Sequence, residues 1–179
     1  MQKIEFLSGD RIYLRPMELE DVDMFCKWFN DPEVRQYLSM VFPLSKLKEK
    51  EWVEKIQKDR DQVVLVIVVK SEDNPIGTVG LHRGDRTSRN AEFGIAIGEK
   101  SYWSQGYGTE GAKLMIDYGF GTLNLHRIYL RVFAFNERAR RSYIKIGFRE
   151  EGVFRDAVYR DGRYHDVLVM SILKSEWSG

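Results

Sequence analysis

The sequence predicts a mixed α/β protein with a sheet of six or seven strands and about four helices. Stretches with the two-residue apolar period of strands alternate along the chain with stretches of the 3.6-residue period of helices. In the central segment, residues 91–120, a strand is followed by a glycine-rich corner and then by a helix. A chain of 179 residues is expected to form one domain with a sizeable core.

The first third of the chain predicts one strand followed by two helices. Residues 11–15 alternate like a strand and end at a proline. Apolar residues at helical spacing predict helices over residues 18–29 and 46–60. An Asn-Asp-Pro sequence ends the first of these helices, and Ser45 is a suitable N-cap for the second.

In the rest of the chain, predicted strands and helices follow one another in shorter succession. Val63–Val69 is an unbroken β-branched run, which predicts a central strand buried on both faces. Asn136 is a suitable N-cap for a helix that Gly147 closes, and residues 160–163 predict the turn of a hairpin. The other predicted elements are strands over residues 76–81, 91–98, 127–133, 149–154 and 166–173, and a helix over residues 112–120.

Composition narrows the class of protein. Lys and Arg number 28 against 27 Asp and Glu, so we expect no general attraction to nucleic acid or anionic lipid. There is no apolar run long enough for a membrane span, and the polar N-terminus does not resemble a signal peptide. The single cysteine, Cys26, lies on the apolar face of a predicted helix, where it is expected to fill the core. One cysteine excludes an internal disulfide and fits a reducing compartment, so we expect a cytoplasmic protein.

The glycine corner is the first candidate site. Gly106 and Gly108 lie where a strand turns into a helix, and glycine there permits unusual backbone angles and close approach of a ligand. Backbone N–H groups at a helix N-terminus bind anions, so the corner predicts a phosphate or pyrophosphate cradle over residues 104–109. An ordinary glycine turn before a helix remains the alternative. The spacing fits neither a P-loop nor a dinucleotide fingerprint.

Three side chains are candidates for chemistry. Asn136 and Tyr143 are seven residues apart on one predicted helix, about 10 Å along its axis and nearly on one face, although Tyr143 could equally be core. Glu92 begins an otherwise apolar strand, on the side shared by Gly94 and Ala96. It is either a solvent-side strand end or a base in a cleft. The three histidines show no metal-ligand spacing, so we expect no metal site.

Together these motifs resemble the GNAT superfamily of acyl-CoA-dependent N-acetyltransferases over almost the whole chain. The branch most similar is that of the ribosomal-protein N-terminal acetyltransferases, with the spermidine acetyltransferases beside it. The resemblance implies a three-layer fold with a mixed, mostly antiparallel sheet. The segments that carry it are IYLRPMELEDV, FNDPEVRQYL, AEFGIAI followed by YWSQGYGTEG, NLHRIYLRVFAFNERARRSYIKIGF and EGVFRDAVYRDGRYHDVLVMSIL.

The resemblance also implies roles for individual residues. Asn136 would lie against the pantetheine or phosphate arm of coenzyme A, and Tyr143 beside the thioester sulfur. Trp103 stands where the family often has Gln or Arg, so backbone amides are expected to carry the phosphate contact. Ala139 replaces a serine of many relatives, which puts a serine-assisted mechanism in doubt. The pyrophosphate loop would comprise Ser104, Gln105, Gly106, Tyr107, Gly108 and Thr109.

The activity implied is direct acetyl transfer from acetyl-CoA to a primary amine, without a metal. Glu92, through water, is the predicted base that deprotonates the amine. An amide N–H near Ile97 would polarise the thioester oxygen, and Tyr143 would protonate the departing thiolate.

The sequence does not decide which amine accepts the acetyl group. We expect a peptide N-terminus, with a polyamine as the alternative and an amino sugar as a further one. An acyl-CoA sensor or an unrelated small-ligand module would be the non-enzymatic alternatives. Neither nucleic acid nor a membrane is an expected partner, and homo-oligomerisation is possible. A polyamine would need acidic residues, and the candidate cluster is Glu18, Glu20, Asp21, Asp23, Asp31 and Glu33.

Overall fold

A computed structural model describes residues 4–179 and confirms the mixed α/β architecture. Within these residues the strands are β1 (Leu7–Ser8), β2 (Ile12–Pro16), β3 (Val63–Val69), β4 (Asn74–Asp85), β5 (Asn90–Ile97), β6 (Arg127–Phe133), β7 (Arg149–Arg160) and β8 (Arg163–Leu173). The α-helices are α1 (Val22–Asn30), α2 (Pro32–Arg35), α3 (Lys46–Lys58), α4 (Tyr107–Gly121) and α5 (Glu137–Ile146).

All these strands form one sheet in the order β1-β2-β3-β4-β5-β6-β8-β7. Every neighbouring pair is antiparallel except β5 and β6, which run parallel. The predicted mixed, mostly antiparallel sheet is therefore confirmed.

The predicted element counts were too low, because the described chain has eight strands and five α-helices. The two-residue strand β1 and the four-residue helix α2 are too short to show a period in the sequence. Helix α2 is set by local chemistry instead: Pro32 occupies its first turn, and the Asp31 side chain accepts a hydrogen bond from the Glu33 amide.

The sheet is covered by helices on both faces. On one face, α4 and α5 pack on alternate strand residues such as Leu65, Ile67 and Phe93. On the other face, α1 and α3 pack on the intervening residues, including Val64 and Val66. Strand β3 is thus buried on both sides, as its uninterrupted β-branched run predicts.

The parallel pair β5–β6 is paired for only part of its length. The ladder covers three residue pairs, from Asn90 opposite Arg127 to Glu92 opposite Tyr129. Beyond them β5 runs on to Ile97 and β6 to Phe133, but the two strands do not pair with each other there. We call the space between residues 93–97 and 130–133 the strand gap.

Candidate active site

The backbone of β5 presents hydrogen-bonding groups to the strand gap. The Gly98 amide donates to the Ile76 carbonyl at 2.8 Å, which fixes the alternation of bonds between β5 and β4. By that alternation, the amides and carbonyls of Ile95 and Ile97 face away from β4 and toward the gap. The Ile97 carbonyl accepts a hydrogen bond from the Trp103 indole at 2.8 Å. The Ile97 amide therefore points toward the strand gap, and its contact with a thioester stays a prediction.

The glycine corner is a helix N-terminus without a side-chain cap. Gly106 is the N-cap of α4 and has φ +86°, a conformation that favours glycine. A Cβ there would lie 3.1 Å from an Arg11 guanidinium nitrogen. Because no side chain caps α4, its first-turn amides, including those of Gly108 and Thr109, can bind an external acceptor. The corner fits the diphosphate of coenzyme A.

The Arg11 side chain holds the corner in place. The Gln105 carbonyl accepts a hydrogen bond from Arg11 at 3.0 Å, and the Arg11 guanidinium lies 4.4 Å from the centre of the Tyr107 ring. Arg11 is itself ion-paired with Glu110 of α4 at 3.0 Å. Gln105 and Tyr107 thus support the corner, and a contact of either with a ligand stays a prediction.

Three further predicted residues lie at or near the N-termini of α4 and α5. The Thr109 hydroxyl lies 3.0 Å from the Ser142 hydroxyl, which links α4 to α5. The Asn136 side chain accepts a hydrogen bond from the Ala139 amide at 3.3 Å and so caps α5 as predicted. Ser104 has φ +61°, part of the sharp turn that leads into α4.

Tyr143 lies on α5, against the side chains of β5. Its ring packs edge-on against Phe93, with centroids 6.1 Å apart, and against Phe148 at 5.8 Å. Desolvation by burial raises the pKa of the Tyr143 hydroxyl to about 12. The group therefore stays protonated at neutral pH, as a proton donor must.

Glu92 makes a contact that the sequence did not indicate. Its carboxylate accepts two hydrogen bonds from the Arg131 guanidinium of β6, at 2.8 and 3.1 Å. The ion pair raises the pKa of Arg131, which stays charged. Glu92 thus joins β5 to β6 at the closed end of the strand gap.

An aromatic cluster at the open end of the strand gap was also missed. Trp103 packs edge-on against Tyr37, which in turn contacts Phe135 just after β6. The Arg138 guanidinium lies 4.1 Å from the centre of the Trp103 ring. The aromatic composition of these segments was visible, but their convergence depends on the tertiary fold.

The described residues offer neither a metal-binding cluster nor a membrane-spanning helix. Across residues 4–179, no group of three or more His, Cys, Asp or Glu side chains is arranged to hold a metal ion. No helix in the same part of the chain is both long and apolar enough to cross a membrane.

The sheet is parted between two parallel strands, and the uncapped N-terminus of α4 follows the strand that borders this parting. Residues 11–149 match the family model described as acetyltransferase (GNAT) domain, so the chain belongs to the GNAT acetyltransferase family. GNAT acetyltransferases use acetyl-CoA, and the protein is accordingly an N-acetyltransferase.

The names of similar proteins mention two kinds of acetyl acceptor. The chain is 33% identical over 180 residues to "Uncharacterized N-acetyltransferase p20" of Bacillus licheniformis, covering 98% of this chain and 100% of that one. It is 38% identical over 103 residues to "Putative ribosomal N-acetyltransferase YdaF" of Bacillus subtilis, covering 58% and 56%. The solved spermidine N-acetyltransferase of Vibrio cholerae, in complex with CoA and spermine, superimposes with a TM-score of 0.87 at 31% identity, covering 93% and 97%.

Proposed function

We propose that this protein transfers the acetyl group of acetyl-CoA to the α-amine of a peptide N-terminus. The observation that carries the choice of acceptor is the state of the acidic residues that a polyamine would need. Lys100 binds the Asp31 carboxylate at 2.9 Å and the Glu33 carboxylate at 2.7 Å. The hydrogen bond from Lys100 is the main cause that lowers the pKa of Asp31.

Two other members of the acidic cluster are paired with cations of the same chain. Asp21 accepts two hydrogen bonds from Arg15, at 2.8 and 2.7 Å, and Asp23 is paired with Lys46 at 2.8 Å. A polycation gains little from carboxylates that already have a cation, whereas a peptide N-terminus brings only one charge. The name of the ribosomal relative is consistent with a peptide acceptor.

In the proposed reaction, the amine attacks the thioester directly. The Ile97 amide is oriented to donate to the thioester oxygen, where negative charge develops. Tyr143, protonated at neutral pH, donates to the sulfur as the carbon–sulfur bond breaks. The predicted base is Glu92, whose carboxylate accepts two hydrogen bonds from Arg131.

A polyamine is the second candidate acceptor. It is favoured by the full-length likeness to the spermidine acetyltransferase solved with CoA and spermine. Asp31 and Glu33 are the acidic residues nearest the aromatic cluster in sequence. To bind spermidine they would have to release Lys100 and pair with the substrate instead.

The test is a screen of acceptors for coenzyme A release from acetyl-CoA. The panel contains peptides with small N-terminal residues, spermidine, spermine and an amino sugar. We expect turnover of the peptides. Turnover confined to spermidine or spermine would overturn the proposal and leave the second candidate in its place.

A further inference from the structure

A cavity lies at the end of the sheet remote from the glycine corner. It has a volume of about 590 Å³ and is bounded by the start of β3, the end of β4, the start of β5 and residues 123–125 after α4. We call it the basal cavity. Tyr118 of α4 lines it and lies twelve residues beyond Gly106, about 18 Å along the helix axis. The basal cavity is therefore separate from the predicted cradle for coenzyme A.

The floor of the basal cavity is apolar. Leu81 of β4, Ala91 of β5 and Leu125 after α4 line it and are buried members of the core. Leu123, which is 43% exposed, lines it at the protein surface. Small-molecule sites have volumes of about 300–1,000 Å³ and are lined mainly by apolar side chains. The basal cavity thus has the size and the floor of such a site.

Charged side chains surround this floor, with arginines in excess. The lining contains three arginines and two aspartates, namely Arg60, Arg86, Arg89, Asp61 and Asp85. The Arg86 guanidinium is paired with the Asp61 carboxylate at 2.8 Å. Among the side chains that the structure describes, none binds the guanidinium of Arg60 or Arg89. Two cations of the lining are therefore available to a ligand.

The second aspartate of the lining is bound by its own turn. The Asp85 carboxylate accepts hydrogen bonds from the Thr87 amide at 2.8 Å and from the Ser88 amide at 3.1 Å. Hydrogen bonds from Ser88 are the main cause that lowers the pKa of Asp85, so this carboxylate is ionised. The formal charge of the lining, three arginines against two aspartates, is then +1. A lining of this charge favours a ligand with one negative charge.

Backbone hydrogen bonds hold both available arginines at the basal cavity. The Asp61 carbonyl, next to Arg60, accepts a hydrogen bond from the Gly84 amide at 3.0 Å. The Arg89 carbonyl accepts one from the His126 amide at 2.6 Å. The two segments are thus tied to β4 and to the start of β6. Little backbone ordering is needed when a ligand binds, which lowers the cost of association.

We infer that the basal cavity binds a small organic carboxylate with an apolar or aromatic body. The body lies on the apolar floor, where it removes apolar surface from water. The carboxylate pairs with Arg60 and Arg89, whose planar guanidinium groups stay charged and match the geometry of a carboxylate. This site lies outside the acetyl transfer proposed above and does not depend on the identity of the acceptor.

The test compares two probes that share one ring system and differ in charge. Naphthoate carries a carboxylate, and naphthylmethanol is neutral. Each is titrated into the full chain by calorimetry with coenzyme A at saturation, so that the glycine corner and the strand gap are occupied. We expect naphthoate to bind one site roughly tenfold more tightly than naphthylmethanol, and added salt to reduce the difference.

Variants of the lining locate the site. In the double variant Arg60→Gln/Arg89→Gln both changes are at exposed positions, and naphthoate affinity should fall roughly tenfold, to that of the neutral probe. Leu123→Asp places a negative charge at the surface of the cavity and should weaken naphthoate as well. Arg155→Gln, an exposed change on β7, is the matched control and should bind naphthoate like the wild type.

Three results would each overturn the inference. They are the absence of naphthoate binding in the presence of coenzyme A, equal affinity of the wild type for the two probes, and unchanged naphthoate affinity in both variants of the lining. None of these results depends on the acceptor screen, so the two proposals succeed or fail separately.

Discussion

At the scale of single residues, Tyr143 combines two properties that the reaction needs. Its ring is fixed between Phe93 and Phe148, and its hydroxyl has a pKa of about 12 because it is removed from water. A phenol in that state cannot ionise near neutral pH. It can donate only when negative charge develops beside it, as on the thioester sulfur during transfer.

Tyr143→Phe keeps the ring contacts and removes only the hydroxyl. We expect turnover to fall by roughly 100-fold, while the melting temperature and the affinity for acetyl-CoA change little. Steady-state kinetics and calorimetry check both parts. Tyr159→Phe, at an exposed position of β7, is the control. Full activity in Tyr143→Phe would assign the residue to the core alone.

At the scale of elements, helix α3 contains a buried carboxyl group that makes its packing depend on pH. Glu49 is only 3% exposed, and its Oε1 has no hydrogen-bond partner within the described residues. Burial raises its pKa from 4.5 to about 7. The folded state therefore holds the Glu49 proton more tightly than the unfolded chain does.

The sign of the pH effect follows from that difference. The stabilisation linked to Glu49 is fully present below pH 4.5 and is lost as pH rises to about 7, up to roughly 3 kcal/mol. Glu49→Gln cannot ionise, so we expect it to melt higher than the wild type at pH 8, by a margin that narrows toward pH 5. Glu51→Gln, an exposed change on the same helix, should show no such trend. A margin independent of pH would contradict the assignment.

The corner before α4 depends on a conformation that side chains disfavour. Gly106→Val combines strain at φ +86° with a Cβ close to Arg11, and it covers the first-turn amides. We expect the rise in melting temperature on adding acetyl-CoA to disappear. Gly162→Val imposes similar strain at φ +81° in the β7–β8 turn, where a Cβ meets nothing within 4 Å, and should keep the rise. A normal rise in folded Gly106→Val would argue against the cradle.

Elements with local signals could be predicted from the sequence, and contacts between distant elements could not. Asn136 and Gly147 bound α5 as expected, because capping depends on residues within one turn. The hairpin turn at Asp161 and Gly162 has the two positive φ angles that its sequence favours. The Glu92–Arg131 ion pair joins residues 39 positions apart, and no pattern indicates it.

The same distinction applies to the site. The glycine corner was predicted because backbone freedom and helix polarity are local properties. The aromatic contacts of Trp103 with Tyr37, and of Tyr37 with Phe135, join residues far apart in the sequence. No local pattern predicts such contacts, so they had to come from the fold.

At the scale of the whole molecule, positive and negative charges are balanced both in number and in place. Lys100 pairs with both Asp31 and Glu33 where the chain leaves β5. Acetylation of a peptide is therefore expected to depend only mildly on salt, whereas acetylation of a tricationic acceptor that relies on carboxylates would weaken steeply.

Lys100→Gln removes the internal cation and leaves both carboxylates to an incoming polyamine. We expect the ratio of spermidine to peptide turnover to rise, and the rise to diminish as salt is added. Kinetics at low and high ionic strength measure it, and Lys48→Gln on the exposed side of α3 serves as the control. An unchanged ratio would mean that Asp31 and Glu33 do not select the acceptor.

The parting of β5 from β6 has a consequence for the order of events in a turnover. A gap between two strands is open to both faces of a sheet. The donor and the acceptor can therefore bind from opposite faces. Both substrates can then be present together, as the proposed direct transfer of the acetyl group requires. Initial-rate plots for the two substrates should accordingly intersect rather than run parallel, and the coenzyme can be exchanged while a large acceptor remains docked on the opposite side.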